Sequence, residues 1–269
     1  MPVCSGPDLD RPPSPETPGD LAGACAPIDP IELYAAGIDS SDYVARVAPL
    51  VRQGVGETGD LLDVGAGGGQ LGYALRTPGR RWTAIEPSAR MRARLARFDD
   101  PPRAIASGWD AADVPPGGHD TVLAANIAAP LQEPNAFLLR CLAWARRTVI
   151  WVVPAQHGPR GMCFAGCLPA AWHGEDETPG VDVVLRALAP SARPRSIAVV
   201  EWTFSGIVAE VEQLANYLAD RLGWPQSRRA DMRAHLARQA RPDAAGYRLD
   251  IPRKSAVLVW AHDRGGVGE

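Results

Sequence analysis

Leu61-Leu62-Asp63-Val64-Gly65-Ala66-Gly67-Gly68-Gly69-Gln70-Leu71-Gly72 is the stretch on which the fold turns. A short apolar run ends in a cluster of glycines, and helix-forming residues follow. This reads as a strand delivering the chain to a tight turn that opens a helix. Glycine allows the turn and lets a ligand approach the backbone.

Outward from that turn, strand and helix signals alternate. The pattern predicts a helix over Gln70–Arg76, stopped by Pro78 and Gly79, and a strand over Trp82–Ile85. Ser88 is placed to cap a helix over Ala89–Arg97. Strands are expected at Arg103–Ala106, Thr121–Ala125 and Thr148–Val153, with a helix over Asn135–Arg146 between the last two. The expected fold class is α/β: a Rossmann-like, mostly parallel sheet with helices on both faces. Upstream, Pro30–Gln53 reads as one or two helices. Residues 1–27 are rich in Pro, Gly and Asp and are expected to form a disordered tail, with one domain over 28–269. After Val153 the periodicity breaks, so 154–190 is read as a capping insertion after strand five. Further on, a strand is expected over Ile197–Phe204, helices over Ile207–Leu222 and Ser227–Gln239, and a closing strand over Lys254–Ala261.

The glycine loop admits two classes of ligand. Gly67, Gly69 and Gly72 satisfy G-x-G-x-x-G, and Glu86 stands 19 residues after Gly67, where it suits ribose hydroxyls. Taken alone, that fits a dinucleotide. Asp63 argues otherwise. A pyrophosphate seeks the positive end of a helix, and a carboxylate two residues before Gly65 repels it. That carboxylate suits a ligand bearing an ammonium group and no phosphate.

With these residues in view, the sequence resembles the class I S-adenosylmethionine-dependent methyltransferases. "LLDVGAGGGQLG" resembles their first motif and "TAIEPS" their ribose-binding acid. "SGWDAADVP" resembles the adenine-flanking segment, and "HDTVLAANI" and "TVIWVVP" resemble the fourth and fifth strands. The resemblance runs from Leu61 to Pro154. It implies that Asp63 holds the methionine ammonium of S-adenosylmethionine. Gly65, Ala66, Gly67 and Gly69 form the cradle, and Glu86, followed by Pro87, takes the ribose. Trp109 or Asp110 borders the adenine, and Asn126 sits beside the methionine moiety.

In such a reaction the donor is already activated, so the protein aligns the acceptor and, where needed, removes a proton. The segment after strand five concentrates groups suited to this. His157 or His173 is a candidate general base. Arg160 is a candidate for holding an acceptor carboxylate, and Glu175, with Asp176 and Glu177, for attracting a cationic acceptor. "NIAAPL" stands where base- and glutamine-methylating members carry Asn-Pro-Pro-Tyr, and no Pro-Cys pair marks a cytosine C5 enzyme. The expected acceptor is therefore a small molecule. RNA or protein methylation, an NAD-dependent oxidoreductase and a non-catalytic binding module stand as rivals.

Bulk properties narrow the field less. The net charge of −3 gives no general pull toward nucleic acid. No apolar run approaches the roughly 18 residues of a membrane span, and no secretory pattern opens the chain, so the default location is cytoplasmic. Five cysteines, an odd number, argue for reduced thiols and no disulfide scaffold. Cys163 and Cys167, with His157 and His173, lack zinc-knuckle spacing, and no metal is expected. The sequence sets no oligomeric state.

Overall fold

The computed structural model describes residues 28–127, 129–159 and 163–261. The expected tail over 1–27 lies outside them, as does Arg160. Two helices, α1 (Pro30–Asp39) and α2 (Tyr43–Val55), lead into β1 (Leu61–Val64). There follow α3 (Gln70–Leu75), β2 (Trp82–Ile85), α4 (Ala89–Leu95), β3 (Arg103–Ile105), β4 (His119–Ala125), α5 (Pro134–Trp144) and β5 (Ala145–Pro154). The remainder comprises α6 (Ala170–His173), α7 (Gly180–Ala187), β6 (Ser196–Val208), α8 (Val211–Arg221), α9 (Arg229–Gln239), β7 (Arg241–Asp243) and β8 (Gly246–Ala261). The described part of segment 154–190, expected as a capping insertion, contains the two α-helices α6 and α7.

All eight strands join one sheet, ordered β3-β2-β1-β4-β5-β8-β6, with β7 paired to β8. The pairings among β1 to β5 are parallel, and those made by β8 are antiparallel. This is the doubly wound, Rossmann-like α/β arrangement, extended at one side by an antiparallel flank. Strand order reverses between β1 and β4, so a crevice opens there at the carboxyl ends of the strands.

The central strands are apolar on both faces because both are covered. Leu61, Leu123 and Ile150 pack toward α1, α2, α3 and α8. Their neighbours Leu62, Val122 and Trp151 pack toward α5 and α7. Side chains alternate with period two along a strand, so adjacent apolar residues serve opposite layers. Ser88 caps as expected, its Oγ accepting from Met91 N–H at 3.4 Å, and Asp29 caps α1, accepting from Ile31 N–H at 2.9 Å.

The structure departs from expectation at the antiparallel flank. Ile207 and Val208, read as the start of a helix, end β6 instead, paired with Arg248 and Tyr247. β8 starts eight residues before the expected Lys254, at Gly246, and alternates exposed and buried positions as far as Ser255.

Candidate functional site

The turn after β1 is built as its glycines require. Gly65, Gly67 and Gly69 have φ of 62°, 55° and 79°, a region that side-chain-bearing residues rarely adopt. With Asp63, Glu86 and Asn126, Gly65 and Gly67 surround a crevice of about 300 Å³ at the β1/β4 reversal. Ala66 and Pro87 also line it. So do residues not singled out from sequence, among them Gly68, Gln70, Ala125 and Ile127. Their signal was adjacency alone, each lying within two positions of a residue that had been named. Tyr34 from α1 and Tyr43 from α2 complete the wall.

Asp63 is 3% exposed. Burial, reinforced by the neighbouring Glu86 carboxylate, raises its pKa to about 7. Glu86 is also buried, and its two oxygens accept from Gly67 N–H and Ser88 N–H, both at 2.8 Å. Neither acid forms an ion pair among the described residues, and no Lys or Arg lines the crevice. Two buried carboxylates without a countercharge make a site that welcomes a cation.

Asn126 directly follows β4 with φ 54°, the sole non-glycine residue at positive φ among those described. Its N–H donates to Val152 O at 3.0 Å, fixing this unusual backbone at the crevice mouth. Such a conformation persists where surrounding structure enforces it, commonly at functional sites.

Other named residues stand apart. Gly69 does not line the crevice. A β-carbon there would meet Leu95 Cδ2 at 2.3 Å, so it shapes the loop against α4. Trp109 packs edge-on to Phe137 with ring centroids 5.2 Å apart, Asp110 is exposed, and neither lines the crevice. His173 is buried. Its Nδ1 accepts from Glu175 N–H at 3.1 Å, and Nε2 lies 3.4 Å from Glu177 Oε1. That geometry ties a loop together. His157 lines a second cavity of about 470 Å³ on the same edge of the sheet, with Arg46, Gln156, Trp202 and Lys254. Tyr43 from the first cavity and Trp202 from the second meet with ring centroids 4.7 Å apart. His157 is therefore the one described catalytic candidate at a cavity adjoining the crevice wall. Among the described residues no cluster of three metal-ligating side chains exists. Cys141 and Cys167 are buried free thiols, and burial pushes their pKa values well above the ordinary range. No described helix is long and apolar enough to cross a membrane.

No protein-family model and no curated protein matches the chain. Solved structures do. Magnesium protoporphyrin IX methyltransferase from Synechocystis PCC 6803, with bound S-adenosylhomocysteine, is 13% identical over 84% of this chain and 85% of that one, with a TM-score of 0.44. Geranyl diphosphate C-methyltransferase from Streptomyces coelicolor A3(2) is 16% identical over 80% and 76%, with a TM-score of 0.45. A (4+2)-cyclase is 16% identical over 80% and 79%, with a TM-score of 0.48. With these scores below 0.5, the similarities decide nothing about what the crevice holds.

Proposed function

We propose that the chain binds S-adenosylmethionine in the crevice and transfers its methyl group to a small-molecule acceptor. The observation that carries this reading is the buried Asp63–Glu86 pair in a crevice without a lining cation. A dinucleotide needs free loop amides for its pyrophosphate. Here the Gly67 N–H already donates to Glu86 Oε2, and Asp63 stands behind the loop. An ammonium and a sulfonium suit the same surroundings.

In this reading Asp63 holds the α-ammonium, Glu86 takes ribose hydroxyls, and the loop from Gly65 to Gly69 fits against the ligand. The donor supplies an activated methyl group when bound, so the chain's own work is alignment and exclusion of water. Asn126 orients the methionine end. The cavity beside Tyr43 and Trp202 receives the acceptor, His157 is the proton acceptor there, and segment 154–190 covers it. Trp109 and Asp110 remain candidates for the adenine end.

Calorimetric titration with S-adenosylhomocysteine, beside NAD, tests the reading. Micromolar binding of the former, weakened at least tenfold by Asp63→Ala, is expected. Binding of NAD in its place would overturn the proposal, as would S-adenosylhomocysteine binding that ignores Asp63.

A further inference from the structure

The wall of the crevice contains a buried hydroxyl without a partner. Tyr43 opens α2 and is 3% exposed, and its Oη has no hydrogen bond. It lines the crevice with Asp63, Tyr34 and Asn126. Burial, then the Tyr34 hydroxyl and the Asp63 carboxylate, holds its pKa well above the ordinary phenol value, with the polar Asn126 side chain close by acting weakly against them. Tyr43 is thus a neutral donor throughout the physiological range. A buried polar atom with nothing to bond destabilises a fold, so its retention needs a reason.

Several donors of the glycine loop are already engaged. The Gly65 and Ala66 N–H groups donate to Ile85 O, at 2.8 and 3.2 Å. Gly67 N–H donates to Glu86, and Gly69 N–H to Ala66 O at 2.9 Å. The Gln70 side-chain amide donates to Asp39 Oδ1. Tyr34 stacks on Phe204 with ring centroids 6.1 Å apart. Tyr43, coupled electrostatically to Asp63, and Asn126 are side-chain donors in the same crevice lining.

An α-amino-acid head carries an ammonium and a carboxylate. Asp63 answers the first, and in the absence of a lining cation the second falls to neutral donors. We infer that the Tyr43 hydroxyl, together with the Asn126 side-chain amide, receives the carboxylate of a ligand whose ammonium rests on Asp63. The site then reads the whole zwitterion and not the positive charge alone. This rests on the methyl-donor reading above and adds a specificity determinant to it.

The test compares wild type with Tyr43→Phe, which removes only the hydroxyl. Three quantities are measured: affinity for S-adenosylhomocysteine, affinity for its decarboxylated analogue, and Tm without ligand. The variant is expected to bind S-adenosylhomocysteine about tenfold more weakly and the decarboxylated analogue within twofold of wild type. Its ligand-free Tm should be equal to or above that of wild type, because an unsatisfied hydroxyl has gone. Unchanged binding of S-adenosylhomocysteine, equal losses for both ligands, or a lowered ligand-free Tm would each overturn the inference while leaving the parent reading intact. Failure of wild type to bind either ligand removes the parent reading and this inference with it.

Discussion

The Asp63 carboxylate rests against the bare α-carbon of Gly72: a β-carbon there would lie 2.0 Å from Asp63 Oδ2 and 3.1 Å from Trp82 Cζ2. Gly72 lies in α3, and the absence of a side chain lets strand end and helix approach this closely. Gly72→Ala should therefore push Asp63 out of place. Overpacking of this kind costs about 1–3 kcal/mol. Affinity for S-adenosylhomocysteine should fall about tenfold, which is about 1.4 kcal/mol. Calorimetry alongside denaturant unfolding measures both, and an alanine variant that binds as wild type would show that Asp63 takes no part.

The raised pKa of Asp63 has a sign that can be tested. Its folded value of about 7 lies above the ordinary 3.8, so the folded state holds the extra proton between those limits. Stability therefore falls as pH rises through that window. His119 acts in reverse: burial, then Arg81, lowers its pKa to about 4, so its contribution improves as pH rises from about 4 to the ordinary 6.5. The two oppose each other over most of the range, and wild type alone will not separate them. Asp63→Asn isolates the first. Its stability relative to wild type should climb from pH 4 to pH 7 and then level off. Wild-type affinity for S-adenosylhomocysteine should rise over pH 6 to 8, and the asparagine variant should lack that rise. Parallel pH curves for the two proteins would contradict the assignment.

Asn126 separates backbone from side chain. At φ 54° an ordinary L-residue is strained by about 1–2 kcal/mol, whereas glycine is not. Asn126→Gly should fold close to wild-type stability and bind ligand more weakly. Asn126→Ala should show the same binding defect and be less stable than the glycine variant by about 1 kcal/mol. Chemical denaturation resolves that difference, and equal stability of the two would mean that the backbone there is relaxed.

The amino edge of the sheet supplies a control. Asp120 Oδ1 accepts from Arg146 Nε at 2.9 Å, and Oδ2 accepts from Asp60 N–H at 3.0 Å, tying the starts of β1, β4 and β5 together. Burial works against the Asp120 anion, yet the Asp60 N–H and Arg146 hold its pKa below the ordinary range. Its contribution is present above the ordinary carboxylate pKa and is lost as pH falls through the lowered folded value. Asp120→Ala should cost about 1–3 kcal/mol of stability by stranding these donors, and leave S-adenosylhomocysteine affinity unchanged. A binding loss greater than the destabilisation explains would tie the two edges together.

The parallel half of the sheet was legible because its strands are buried on both faces and bounded by turns. Leu61–Val64 and Trp82–Ile85 fall where the apolar runs placed them. The antiparallel flank was harder to see. Tyr247 to Arg253 alternate polar and apolar residues with Pro252 among them, a weak signal beside a continuous apolar run. In α7, which begins at Gly180 and runs only to Ala187, too few turns exist to show a period. At the site, Asp63 and Glu86 could be read because charge near a glycine loop has a direct meaning. The empty bonding shell of the Tyr43 hydroxyl depends on what α2 brings near it, and a sequence carries no mark of an unfilled hydrogen bond.

β8 lies between β5 and β6, although β6 precedes it in the chain. Helices α1 and α2 both pack on β6, which reaches the sheet through β8. During translation β1 to β5 can pair as they emerge from the ribosome, while the β6 seat of the tyrosine-bearing helices joins the sheet only once β8 has been made. A nascent chain stopped short of β8 carries the glycine loop without its roof. Ligand capture would thus be a late event in the protein's manufacture, and a small molecule that grips the roofed crevice would retain finished copies and pass over unfinished ones.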